Sequence, residues 1–242
     1  HERLRALADE LAARHGVRVE VAPCDLADER ARAALVDDVV ARGLQVDVLV
    51  SDAGVTNVGR VWELDAAAEV RLVRTNVEAV VDLTSRLVPA MVTRGAGGVL
   101  TVSSIAAFQP APNQASYAAS KAFLISYADA LAGELAGSGV HATTLCPGPV
   151  PTEIFARAGG HGNGLNPVDR LPRPFWRQAD ELAREAVDGL ERNELRVFVG
   201  VPNRLLALAG RHLPLSRAAL GLGARLFTTP SRAARARREA GV

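Results

Sequence analysis

Apolar positions along this chain alternate between two periods. Leu4, Leu7, Ala8 and Leu11 fall on one helical face, and Gly16 follows where such a helix would end. Val17, Val19 and Val21 then alternate with Arg18 and Glu20, the period-two pattern of a strand with one buried face. A helix over residues 29–42 is expected next, capped by Asp28. Residues 46–50 form a short apolar run suited to a strand buried on both faces. After an irregular stretch at 55–64, helical spacing runs over 66–94 and stops at the glycines of 95–98. Strands at 99–103, 141–146 and 196–200 and helices at 117–135 and 179–191 complete the series.

Strands alternating with helices of a dozen residues or more predict an α/β fold, a doubly wound parallel sheet with helices on both faces. Ligands gather at the C-terminal strand ends of such sheets, so the candidate loops are residues 51–54, 103–115 and 147–152.

Composition narrows the function classes. The chain has 242 residues, 48% of them hydrophobic, enough for one domain with a sizeable core. Its 28 basic and 27 acidic residues nearly cancel, which argues against a general field for nucleic acid. The distribution is uneven, because residues 201–242 carry eight Arg against one Glu. Lys121 is the chain's single lysine. Cys24 and Cys146, with no histidine at zinc-like spacing, indicate neither a disulfide framework nor a metal site and suit a reducing cytoplasm. No apolar run approaches the ~20 residues that span a bilayer.

Tyr117 and Lys121 are four residues apart near the start of a helix, so their side chains share one face. A phenol with a reference pKa of about 10 is a poor base at neutral pH, and a neighbouring ammonium favours its phenolate. Ser104, just beyond a strand end, can offer a second hydroxyl to the same substrate oxygen. A tyrosine packed in a helix, a solvated lysine and a turn serine are the unremarkable alternative.

The segment Tyr117-Ala-Ala-Ser-Lys121, with Ser104 upstream in Val102-Ser-Ser-Ile-Ala-Ala, resembles the short-chain dehydrogenase/reductase family. Further matches follow in order: Asp25-Leu26, Ala53-Gly54, Asn76 and Pro147-Gly148-Pro149-Val150-Pro151-Thr152. The resemblance covers residues 1 to about 200 and implies a Rossmann-like NAD(P)-dependent oxidoreductase that interconverts a carbonyl and an alcohol. It implies that Tyr117 is the general acid/base, that Lys121 lowers its pKa and binds the nicotinamide ribose, that Ser104 orients the carbonyl, and that Asn76 holds a relay water. By the same resemblance Asp25 and Leu26 contact adenine, Asp52, Ala53 and Gly54 line the adenosine side, and Pro147, Gly148, Val150 and Thr152 carry nicotinamide contacts.

Two departures qualify this. Ser51-Asp52-Ala53-Gly54 stands where the family usually has Asn-Asn-Ala-Gly, and an ionised carboxylate at Asp52 accepts hydrogen bonds without donating any. No glycine-rich turn precedes the first helix, although the family holds the pyrophosphate there. We therefore expect the chain to lack roughly 40 residues carrying two strands and that loop, leaving the Val17 strand two neighbours away from the 46–50 strand. The residues that separate NAD from NADP would lie in that stretch; the opening His1-Glu-Arg-Leu resembles NADP-using members, so NADP(H) is favoured over NAD(H).

Residues 153–177 take the place of the family's substrate loop. Ile154, Phe155, Leu165, Leu171, Phe175 and Trp176 imply a small apolar carbonyl or alcohol substrate, and Gly159, Gly160, Gly162 and Gly164 suit a closing loop or a mobile surface one. Residues 201–242 read as a basic amphipathic tail outside a 1–200 catalytic domain; it can lie on an anionic membrane, bind a partner or cover the core. The Ala-rich helices at 66–94 and 117–135 predict a homodimer or homotetramer, with packing inside the chain as the rival. A dinucleotide-sensing or scaffold protein of the same fold is the alternative function.

Overall fold

Four parallel strands, β1 (Val48–Ser51), β2 (Gly97–Val102), β3 (Val140–Leu145) and β4 (Arg196–Val197), lie side by side in sequence order in the computed structural model, which describes residues 2–151 and 172–212. The register pairs Val50 with Leu100, and Leu100 with Thr143. Helices connect the strands: α1 (Glu2–His15), α2 (Glu29–Ala41), α3 (Ala66–Val73), α4 (Ala79–Arg94), α5 (Ala115–Glu134), α6 (Ala179–Glu191) and α7 (Val201–His212). Among the described residues no helix is long and apolar enough to cross a membrane.

Strand geometry explains the two cores. Successive side chains on a strand point to opposite faces, so Val99 on β2 and Val140 and Ala142 on β3 pack with Val88 and Met91 of α4 and Leu131 of α5. Leu100 and Leu145 point the other way and pack with Leu182, Ala186 and Leu190 of α6. Both faces of the sheet are covered, as predicted for a doubly wound sheet.

Most expected elements form within a few residues of their predicted bounds. Gly16 ends α1 with φ +65° and donates its N–H to Ala12 O at 2.9 Å, and Asp28 caps α2 by accepting from the N–H groups of Arg30 and Ala31. The expected helix over 66–94 is α3 and α4 joined by a π-helical turn at Arg74–Glu78. The last strand is shorter than residues 196–200, ending at Val197.

One element differs outright. Val17, Val19 and Val21 form no strand, because no described strand lies beside them to complete a ladder; Val17 is exposed. The outer edge of β1 is likewise unpaired among the described residues, and Val48 and Val50 are about half exposed there. α7, where the basic tail was expected to begin, is a helix packed on the domain with Asn203 and Ala207 fully buried.

Candidate active site

The C-terminal ends of β1 and β2 and the first two turns of α5 converge on one polar cluster. α5 carries Tyr117 at 8% exposure and Lys121 at 4%, one helical turn apart, as i,i+4 spacing requires. Ser104 follows β2 and caps the 3-10 turn Ile105–Phe108, its Oγ accepting from Ala106 N at 3.1 Å. Ser104 lies close enough to the Tyr117 phenol to pull its pKa down. Lys121 Nζ lies 5.8 Å from the Tyr117 ring centroid and donates to Val102 O at 2.8 Å. The structure therefore brings Ser104, Tyr117 and Lys121 together.

Asn76 completes the cluster from the π-helical turn. An extra residue in a helical turn re-aims its side chain, and such turns are frequent at functional sites. Here it buries Asn76 completely. Asn76 Oδ1 accepts from Val55 N at 2.9 Å, and Nδ2 donates to Val55 O at 2.9 Å and Ser120 Oγ at 3.1 Å. Both amide hydrogens are thus engaged, so a water held by this turn would have to donate to it. Gly54 sits where a Cβ would lie 3.4 Å from Lys121 Nζ and 3.5 Å from Asn76 Oδ1. A side chain there would crowd both groups.

Burial governs the electrostatics. Desolvation pushes the Tyr117 phenol above its ordinary pKa, and Ser104 pulls the other way. Desolvation brings Lys121 down to about 8, opposed by the charge of Asp52. The phenolate that a neighbouring ammonium would favour is opposed here by burial, the largest influence on Tyr117 in this structure. Asp52, exposed at the rim, gives up the donor capacity of an amide and favours a charged Lys121.

Two further serines escaped the sequence reading. Ser103 Oγ donates to Lys121 O at 2.8 Å, and Ser120 Oγ donates to Tyr117 O at 2.7 Å while accepting from Asn76. Both are almost fully buried and fix the backbone of the helix that carries Tyr117 and Lys121. The Ser103-Ser104 doublet and the serine within Tyr-Ala-Ala-Ser-Lys were the available signals.

The other expected site residues that the structure describes have settings of their own. Pro147 O accepts from Ile105 N at 3.0 Å, coupling the 147–150 loop to the turn that Ser104 caps, and Val150 packs on the α6 side of the core. Thr152 lies outside the described residues, as do Ile154, Phe155, Leu165 and Leu171. Ala53 is exposed beside Gly54. Asp25 is held on both oxygens by Arg71 Nη2 at 2.9 Å, and this bond holds its carboxyl below the usual range. The carbonyl of Leu26 accepts from Arg32 Nη1 at 2.7 Å; Arg32, 1% exposed, also pairs with Glu78 and Asp82. A cleft of about 640 Å³ beside Asp25 is lined in part by Arg71 and Arg74.

The residues present fit a dinucleotide's nicotinamide half. A buried ammonium, a bare glycine backbone at Gly54 and the 147–150 loop all lie at the strand ends, where such ligands bind in doubly wound sheets. Among the described residues no group of His, Cys, Asp or Glu could hold a metal ion.

Comparison with known proteins agrees with this geometry. The profile described as short chain dehydrogenase matches residues 1–161. A short chain dehydrogenase of Pseudocercospora fijiensis is 35% identical over 214 residues, 87% of this chain and 68% of that protein. Sulfoacetaldehyde reductase 2 of Chromohalobacter salexigens is 32% identical over 185 residues, 75% of this chain and 72% of that protein. A short-chain dehydrogenase from Sphingobium yanoikuyae, solved in complex with NADPH, superimposes with a TM-score of 0.74 at 30% identity, covering 91% of this chain and 81% of that one. With its parallel sheet wrapped on both faces and this likeness across most of its length, the chain belongs to the short-chain dehydrogenase family of NAD(P)-dependent oxidoreductases.

Proposed function

We propose that the protein interconverts a carbonyl and an alcohol on a small apolar substrate, with Tyr117 as general acid/base, Ser104 orienting the carbonyl oxygen, Lys121 binding the nicotinamide ribose and Asn76 holding a relay water. The observation that carries this reading is the cluster in which Ser104 acts on the Tyr117 phenol while buried Lys121 lies beside the same ring. In the reducing direction the Tyr117 hydroxyl gives its proton to the substrate oxygen as that oxygen gains negative charge, and Ser104 donates a second hydrogen bond to it. Burial keeps the phenol protonated, which favours the donor role. In the oxidising direction a charged Lys121, supported by Asp52, stabilises the phenolate that must accept the proton. The bound dinucleotide supplies or takes up the hydride at the substrate carbon.

NADP(H) is the preferred cofactor in this reading, supported by the NADPH bound to the Sphingobium yanoikuyae relative. Asp25, Leu26, Asp52, Ala53 and Gly54 serve its adenosine side, and Pro147, Gly148, Val150 and Thr152 its nicotinamide. Half-buried Phe175 and Trp176 support an apolar substrate. The exposed face of α5 is apolar too, with Ala119, Ala122 and Ala130 around Phe123, whose ring stacks on Tyr127. That face supports a homodimer or homotetramer. The free thiols Cys24 and Cys146 support a cytoplasmic protein.

The test is NADPH- and NADH-dependent reduction of a panel of apolar ketones and aldehydes by the wild type and by Ser104→Ala. We expect turnover with NADPH and a loss of about 10²–10³ in kcat for the variant. An unchanged kcat would remove Ser104 from the mechanism, and no reduction of any carbonyl would remove the reaction.

A further inference from the structure

We propose that Asn203, on the first helix of the basic tail, is a positioning residue that sets the 147–150 loop for the nicotinamide end of the cofactor. The proposal rests on the nicotinamide role of that loop given above. Asn203 is fully buried on α7. Its Nδ2 donates to Val199 O at 2.9 Å, just past β4, and to Phe175 O at 3.1 Å in the turn Arg173–Phe175. Two residues beyond Phe175, the N–H of Arg177 donates to Pro149 O at 3.2 Å. One amide thus ties the end of β4 to the segment that grips the 147–150 loop.

The same amide also touches that loop directly. Gly148 packs so closely that a Cβ there would lie 2.4 Å from Asn203 Oδ1 and 2.5 Å from its Nδ2. Asn203 Oδ1 is buried and has no hydrogen-bond partner among the described residues. Leaving a buried acceptor unpaired is unfavourable, so packing alone does not account for an amide here; leucine would fill similar space without that cost. What leucine cannot do is donate twice, to Val199 O and Phe175 O. Near its other end α7 abuts the Ser104 turn, since a Cβ at Gly210 would lie 3.0 Å from Phe108 O. α7 therefore backs both loops that face the proposed reaction, the one after β2 and the one after β3. The tail's first helix belongs to the site, whatever the remainder of the tail does.

The test is equilibrium binding, in the protein expressed from its complete reading frame. NADPH and NADH are compared with 2′-phospho-ADP-ribose and ADP-ribose, which lack the nicotinamide, for the wild type, Asn203→Leu, Asn203→Ala, Gly148→Ala and the Asn203→Ala/Gly148→Ala double variant. Asn203→Leu should weaken binding of the preferred dinucleotide on the order of tenfold, while binding of the matching ADP-ribose stays unchanged. In the double-variant cycle, Asn203→Ala should relieve part of the Gly148→Ala defect, because the colliding amide is gone. This cycle decides the matter if Asn203→Leu fails to fold. Equal weakening of dinucleotide and ADP-ribose, unchanged binding in Asn203→Leu, or strictly additive effects in the cycle would overturn the role of Asn203 and leave the oxidoreductase reading intact. A wild type that binds neither dinucleotide would overturn both.

Discussion

Behind Tyr117 the polar groups of Asn76, Ser103, Ser120 and Lys121 are buried and closed into a network, whereas around Asp25 the polar partners reach in from the surface. Asn76, Ser103, Ser120 and Lys121 are each at most 4% exposed and bond to one another or to backbone in β2, α5 and the loop after β1. The Asp25–Arg71 pair is exposed on both sides, and the preceding segment with Val17 belongs to no sheet. Arg32 gives this region a buried polar anchor. Under the proposed function, the contrast separates groups held for proton transfer, where a 1 Å error costs about 10²-fold in rate, from groups that only need to meet the far end of a ligand.

The largest expected effect breaks the anchor of the weaker region. Arg32→Ala leaves Asp82 and Glu78 without their shared cation and should cost about 3 kcal/mol of stability, measured by urea unfolding. Binding of ADP-ribose should weaken along with stability, as the Leu26 carbonyl loses its donor. Asn76→Ala strikes the rigid region. It strips Val55 and Ser120 of partners and should cost about 2 kcal/mol, with kcat falling and cofactor affinity little changed.

Much of this comparison was legible in the sequence. The i,i+4 spacing of Tyr117 and Lys121 and the position of Ser104 after a strand were sufficient to predict that the three would meet, because helix and strand geometry fix those relations locally. Asn76 needed more, since only the π-helical turn, invisible in apolar periodicity, explains its complete burial. Arg32 was unreadable because a charged residue on an amphipathic helix normally faces water, and here its two carboxylates come from residues 78 and 82. The Val17 pattern carried real strand periodicity, but a ladder needs a neighbour and pattern alone cannot supply one. Asn203 was hidden for a similar reason, because its partners at 148, 175 and 199 are brought to it only by the fold.

A smaller effect sharpens the electrostatics of the rigid region. Lys121 is brought down to about 8 by burial, so kcat/KM for the dinucleotide should fall as pH rises through about 8. Lys121→Arg should not show that fall, because its guanidinium stays charged, although its altered shape lowers the plateau. Stability should move the opposite way. Between pH 8 and 9 the unfolded chain keeps its Lys121 proton while the folded one loses it, so the unfolded state binds more protons and stability rises with pH. Above 9 the buried Cys146 thiol, pushed up to about 12, works against this rise. The smallest effect belongs to the exposed pair: Arg71→Ala should leave stability almost unchanged, seen as at most a small shift in Tm.

The central claim is that Tyr117 moves the proton. Its most direct test is Tyr117→Phe, which keeps the ring beside Lys121 and removes only the hydroxyl that meets Ser104. Single-turnover carbonyl reduction with bound NADPH should slow by about 10²–10⁴-fold while the NADPH Kd stays within a factor of about two. A variant that binds NADPH normally and turns over at the wild-type rate would contradict the account.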